Sequence, residues 1–223
     1  VVVLFDNSLS MQWEKLERNF LALETLLRSL RPQDRFNLLL FNTEVKQFAP
    51  APVAAETASV EKALEFVRAS LLRGGTDLEK ALEAALAQFS KGESYLVLLS
   101  DGNPTRGAIR TATLASWYAA KWQQARPRTY VFAVGDDANM PLLRMLARSD
   151  GIVEWVRSTE PAEFKLNAFV SRIGRRPVEN LQFAAAPASN FEMVYPLESS
   201  TFGGSVAAWV GQWEPDTTAG VVG

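Results

Sequence analysis

Five oxygen-bearing side chains stand at three boundaries of this 223-residue chain. Asp6, Ser8 and Ser10 lie in Asp6-Asn7-Ser8-Leu9-Ser10, directly after an apolar run. Thr76 lies in Arg73-Gly74-Gly75-Thr76-Asp77-Leu78, before an amphipathic stretch. Asp101 closes a second apolar run, in Ser100-Asp101-Gly102. Ser8 and Ser10 are two apart in a loop leaving a strand, so both hydroxyls can turn toward one point. Asp6 and Asp101, at the ends of neighbouring strands, would repel each other unless a cation lay between them. Three hydroxyls and two carboxylates offer only oxygen, the donor set of magnesium, with manganese or calcium as alternatives. Magnesium keeps several waters, through which the carboxylates could act. One coordination position would then remain for an acidic group from outside. Each motif alone has a plainer reading as a helix cap or turn, since Ser, Asp and Asn favour both without any metal. All three together favour the cation.

Composition narrows the chemistry further. The chain has no histidine and no cysteine. That removes the Ser-His-Asp triad, thiol nucleophiles, disulfides and most zinc sites. Any metal must be held by oxygen. With 23 basic and 25 acidic residues the net charge is −2, which argues against nucleic acid as a partner. No apolar run approaches the length that spans a bilayer, so no direct membrane insertion is expected. The opening on an apolar strand, Val1–Phe5, suggests an excerpt of a longer protein, so the lack of a visible secretory signal means little.

The elements that must position these residues alternate. Val1–Phe5, Arg35–Phe41, Tyr95–Ser100, Arg128–Val134 and Ile152–Val156 are short, apolar and rich in Val, Leu, Ile or aromatics, as strands buried on both faces are. Glu44–Phe48 reads as a more polar edge strand. Between them, Met11–Leu30, Val60–Leu71, Leu78–Phe89, Thr111–Gln124, Met140–Ala147 and Pro161–Ile173 show helical periodicity. This order predicts an α/β fold: a doubly wound, mostly parallel, Rossmann-like sheet with helices on both faces. Ligands bind beyond the carboxyl ends of such strands, where all three motifs fall. After about Ile173 the texture changes to strand-like segments at Val178–Ala184, Phe191–Tyr195, Val206–Trp213 and Ala219–Val222, with Pro and Gly between them. Residues 1–173 therefore read as one domain. Residues 174–223 read as a small β appendage completed by sequence outside this segment.

The Asp-x-Ser-x-Ser signature, the Gly-Gly-Thr-Asp-Leu loop and the Leu-Leu-Ser-Asp-Gly strand end resemble the metal-ion-dependent adhesion site of von Willebrand factor type A domains. The likeness covers about residues 1–170. It implies that Ser8 and Ser10 bind the metal directly, Thr76 directly or through water, and Asp6 and Asp101 mainly through water. One departure stands out: the family usually has glycine where this chain has Leu9, which puts affinity and metal preference in question. A looser likeness to the inter-alpha-trypsin inhibitor heavy chains rests on Val134-Gly135-Asp136-Asp137, Pro141-Leu142-Leu143, Val194-Tyr195-Pro196 and Val210-Gly211-Gln212-Trp213. In that group a so-called VIT domain lies upstream of the type A domain. The likeness favours an extracellular, periplasmic or cell-surface setting.

The resulting expectation is a cation-dependent, adhesion-type protein-binding module, not an enzyme, whose partner protein presents Asp or Glu. Asn7, Leu9, Asn42, Thr43, Asn103 and Thr105 are the expected rim. Two alternatives remain. One is a regulatory arm of an ATPase or chelatase machine. The other is a metal-dependent phosphohydrolase, against which Ser8 stands where the haloacid dehalogenase type needs a second acid. Asp136-Asp137 is expected to be a solvated loop rather than a second cation site. Trp117, Trp122, Trp209 and Trp213 are expected in cores, and Arg175-Arg176 as a linker charge pair. Related domains shift their last helix when the metal accepts a carboxylate, which would make Pro161–Ile173 a switch.

Overall fold

The computed structural model describes residues 1–89, 93–148, 150–173, 177–179, 191–196, 200–202 and 209–213. The chain divides into two compact units, Val1–Ile173 and Gly174–Gly223. In the first, the elements run β1 (Val2–Asp6), a short 3-10 turn (Leu9–Met11), α1 (Glu14–Ser29), β2 (Arg35–Phe41), β3 (Val45–Gln47), β4 (Val53–Ala54), α2 (Thr57–Arg68), α3 (Leu78–Leu86), β5 (Tyr95–Ser100), α4 (Thr111–Ala125), β6 (Arg128–Val134), α5 (Met140–Ala147), β7 (Ile152–Val156) and α6 (Ala162–Arg172).

The sheet order is β3-β2-β1-β5-β6-β7, with β4 also paired to β2. The β2–β1, β1–β5, β5–β6 and β6–β7 pairs are parallel, whereas β3 and β4 run antiparallel to β2. From β1 the chain winds outward to β2 on one side, and from β5 through β6 to β7 on the other. The direction of winding thus reverses between β1 and β5, and crevices for ligands open beyond the strand ends at such a reversal.

Strand alternation assigns the two faces. Val2, Leu4, Leu96 and Leu98 join Leu78, Leu82, Leu114, Tyr118, Leu142 and Leu146 in one core under α3, α4 and α5. Val3, Phe5, Val97 and Leu99 are equally buried and turn to the other face, where α1 packs on β5 and β6 and against α2 and α6. Burial on both sides explains why these strands are legible as unbroken apolar runs. Trp117 and Trp122 pack at the margin of the first core.

The helices α3, α4 and α5 begin at Leu78, Thr111 and Met140 as expected, and the structure departs from the sequence reading at the starts of α1 and α2. A continuous helix from Met11 is expected. Instead the 3-10 turn ends at Met11, and Trp13 takes φ 63° before α1 begins at Glu14. The helix α2 begins before Val60, at Thr57, and ends at Arg68. Strand β4 has only two residues, too short to show a period.

In the second unit, β8 (Pro177–Glu179) pairs antiparallel with β10 (Ser200–Phe202). Likewise β9 (Phe191–Pro196) pairs with β11 (Trp209–Trp213), with an irregularity between Val210 and Gln212. Strand β10 is not anticipated by the sequence pattern. Ala219–Val222 and the Arg175-Arg176 pair lie outside the described residues, as do the side chains of Trp209 and Trp213.

Candidate metal centre

Parallel register places the first carboxylate. Phe5 of β1 faces Leu99 of β5, so Asp6 and Ser100 follow side by side at the sheet edge. Ser100 Oγ donates to Asp6 Oδ2 at 2.6 Å, and the Ser8 amide donates to Asp6 Oδ1 at 3.0 Å. Asp6 is fully buried. Burial pushes its carboxyl up to about 6, with Ser100 and Ser8 opposing the rise and the nearby Asp101 charge adding to it. This carboxylate is poised for a cation's relief.

Asp101 is also fully buried. Its Oδ1 accepts from the Asn103 amide at 3.1 Å and its Oδ2 from Lys15 Nζ at 2.9 Å. Its carbonyl accepts from the Asn139 amide at 2.8 Å, tying the strand end to the start of α5. The next residue must be glycine: Gly102 has φ +71°, and a Cβ there would meet Leu143 at 2.6 Å.

The hydroxyls arrive from two loops. Ser8 Oγ and Ser10 Oγ lie 3.0 Å apart. The Leu9 amide donates to the Gly74 carbonyl at 3.1 Å, which fastens this loop to the segment carrying Thr76. Thr76 is held by backbone alone: its amide donates to Thr105 Oγ1 at 2.8 Å, and its carbonyl accepts from the Thr105 and Arg106 amides at 2.9 and 3.0 Å. Gly75 makes room, since a Cβ there would lie 2.2 Å from Thr105 Oγ1. The Thr76 hydroxyl itself is buried and has no hydrogen-bond partner, a costly state for a polar atom unless something binds it.

The donor chemistry suits a hard cation. Among the described residues there is no group of three or more Asp, Glu, His or Cys that could hold a metal. Any ion here must therefore rest on hydroxyls with two carboxylates behind them. The carboxylates are already anchored by amides and by Ser100, which suits action through water. The structure brings Asp6, Ser8, Ser10, Thr76 and Asp101 to one sheet edge.

The expected rim is only partly a rim. Asn7 and Asn42 are 5% and 6% exposed. Asn42 Nδ2 donates to Asn7 Oδ1 at 3.1 Å, and the Asn42 carbonyl accepts from the Asp77 amide at 2.8 Å. Polar loop residues read as surface, but here their amides satisfy each other beneath the loops. Thr105 is exposed yet serves as the brace for Thr76. Asn103 Nδ2 reaches the Asp137 carbonyl at 2.9 Å, and Thr43 is half-buried. Leu9 is 49% exposed and adopts no left-handed conformation; the positive φ of this segment falls on Trp13.

Ser100 and Lys15 were missed by sequence reasoning, and Asp137 was weighed only for a site of its own. Ser100 could have been found, because strand alternation puts it on Asp6's face. Lys15 and its pairing with Asp137 had no such signal. Lys15 Nζ also lies 2.6 Å from an Asp137 oxygen. Burial opposes its charge, but the Asp137 and Asp101 carboxylates hold its pKa above the ordinary lysine value. Asp136 accepts from the Ser158 amide at 3.1 Å and from its hydroxyl. The 136–137 loop is thus committed to protein donors.

The fold and this site define a class. The von Willebrand factor type A domain family matches residues 1–155, and the chain belongs to that family. Within it, the chain is similar to inter-alpha-trypsin inhibitor heavy chains. It is 28% identical over 211 residues to heavy chain H1 of Bos taurus, covering 89% of this chain and 22% of that protein. It is 24% identical over 232 residues to heavy chain H2 of Mesocricetus auratus, covering 99% and 24%. The chain thus spans about a quarter of the length of these relatives. A von Willebrand factor type A structure from Catenulispora acidiphila superposes with a TM-score of 0.66 at 18% identity, over 95% of this chain and 54% of that one. Proximal thread matrix protein 1 from the mussel byssus, solved with a zinc-occupied adhesion-site motif, superposes at 0.62 with 16% identity, over 79% and 48%.

Proposed function

We propose that this chain is a divalent-cation-dependent protein-binding module, adhesion-type rather than enzymatic. In this reading Ser8, Ser10 and Thr76 supply hydroxyl ligands, while Asp6 and Asp101 balance the charge through water. Magnesium is the natural ion for such a donor set, and manganese or calcium can substitute. The bound ion would accept an Asp or Glu carboxylate from the partner. The observation that carries this reading is the buried, unpartnered Thr76 hydroxyl, set on the same sheet edge as two fully buried carboxylates.

A further feature supports it. Ser8 stands where a phosphohydrolase acid would be needed, and a serine hydroxyl cannot protonate a leaving group at neutral pH. Among the described residues no helix is long and apolar enough to cross a membrane. The likeness to the heavy chains supports an extracellular or cell-surface setting.

The test uses peptides that each contain one Glu or Asp, titrated first in magnesium and then in excess chelator. The reading predicts binding that chelator abolishes and that Thr76→Val weakens. Equal binding in magnesium and chelator contradicts it.

A further inference from the structure

One basic side chain reaches into the carboxylate frame of the site. Lys15 Nζ lies 2.9 Å from Asp101 Oδ2, and 2.6 and 2.9 Å from the two carboxylate oxygens of Asp137. Among the described residues no other basic side chain is paired with Asp6 or Asp101. The two acceptors differ: the Asp101 side chain is fully buried, whereas that of Asp137 is 65% exposed. The ammonium thus meets a dry carboxylate on its inner side and a wet one on its outer side.

Several contacts hold it there. Lys15 is the second residue of α1, in the turn where the helix dipole opposes a positive charge and favours acids such as Glu14 and Glu17. Its stem lies against the Gly135 backbone: Gly135 holds φ +94°, and a Cβ there would come within 2.4 Å of Lys15 Cε. That glycine is fixed in turn by β7, since its amide donates to the Val156 carbonyl at 3.0 Å and its carbonyl accepts from Trp155 Nε1 at 2.9 Å. Asn103 Nδ2 donates to the Asp137 carbonyl at 2.9 Å, which keeps the outer carboxylate beside the loop that follows Asp101. A lysine is thereby pinned where helix electrostatics alone disfavours one.

We infer that Lys15 sets the balance between two affinities: its fixed ammonium weakens the grip on the cation and strengthens the hold of the loaded site on a partner's carboxylate. This rests on the proposed reading of the metal site and assigns its tuning to a residue outside the five ligands. The charges decide the sign. Asp6 and Asp101 bring two negative charges to a dry place, and a divalent ion cancels them. Lys15 then stands as surplus positive charge, felt strongly because its side chain is only 19% exposed. Asp137 offsets it weakly, because solvent screens an exposed carboxylate. The same ammonium opposes an approaching cation at Asp101. One fixed charge therefore moves the two affinities in opposite directions. Damage to packing, by contrast, weakens both.

Two titrations of the full chain at low ionic strength test this. Calorimetry measures manganese binding. The fall in water proton relaxation measures binding of the peptide acetyl-Gly-Glu-Gly-amide to the manganese-loaded chain. Lys15→Met should bind manganese about threefold tighter and the peptide about threefold more weakly. Asp137→Asn, which strips the ammonium of its outer partner, should do the reverse, by about twofold each way. Asp137 is exposed, so this variant should fold even if Lys15→Met does not. The chain has no cysteine, so Lys15→Cys alkylated with bromoethylamine restores an ammonium at lysine's length. It should return both affinities to their original values, whereas the same variant capped with iodoacetamide should behave as Lys15→Met. Opposed shifts that the restored ammonium undoes support the inference. Both affinities moving the same way, or neither moving, overturns it and leaves the metal-site reading intact. Absence of manganese binding by the unaltered chain, or of manganese-dependent peptide binding, overturns the parent reading and this inference with it.

Discussion

Two pairs of aspartates sit at the same sheet edge and differ in almost every physical respect. Asp6 and Asp101 end adjacent parallel strands, are wholly buried, and face the Thr76 segment with its unpartnered hydroxyl. Asp136 and Asp137 follow β6, are exposed, and are engaged by Ser158 and Lys15. Burial pushes Asp6 up to about 6, whereas the Ser158 hydroxyl and amide hold Asp136 below the ordinary aspartate range. The contrast teaches that neighbouring carboxylates at one sheet edge can sit in opposite environments: one pair is held dry beside an unanswered hydroxyl, the other is solvated and answered by protein donors. Lys15 lies on the border, bonded to one member of each pair.

The comparison can be broken most forcefully at the hydroxyls. Ser8→Ala combined with Ser10→Ala should weaken manganese binding by on the order of a hundredfold or more, while Asp136→Asn should leave it within about twofold. Calorimetric titration checks both.

The next effect is on the metal-free protein. The raised Asp6 carboxyl keeps its proton in the folded state where the unfolded chain has lost it. The stability this contributes is fully present below about pH 4 and lost as pH rises through about 6. At pH 7 the buried charge is a cost, so Asp6→Asn should stabilise the metal-free chain by about 2 kcal/mol. The advantage should fade near pH 4. Denaturant melts at both pH values measure it, and Asp136→Asn should show no such gain.

Thr76→Val should weaken metal binding about tenfold. It should leave the metal-free melting temperature level or slightly higher, because it removes a buried hydroxyl with nothing to bond. The smallest effect belongs to Lys15→Met. Removing the ammonium beside Asp101 should raise metal affinity by about threefold, more so at low salt.

How much of this was legible in the sequence depended on what each element buries. The strands β2, β5, β6 and β7 match their expected bounds, since each is a short run dominated by apolar, β-branched and aromatic residues. The places of Asp6, Ser8, Ser10, Thr76 and Asp101 at one sheet edge were legible because strand ends and turn chemistry mark loops sharply. The start of α1 was not, because at Trp13 loop geometry overrides periodicity. Asn7 and Asn42 misled because pairing of two buried amides depends on contacts far apart in sequence. Lys15 meets Asp101 and Asp137 across separations no local pattern encodes.

The most direct test of the central claim is a crystal of this chain soaked in manganese, with anomalous differences measured. The account predicts one strong peak among the Ser8, Ser10 and Thr76 hydroxyls, with Asp6 and Asp101 reached through water. A peak at Asp136 and Asp137 instead, or none at the hydroxyls, would contradict it.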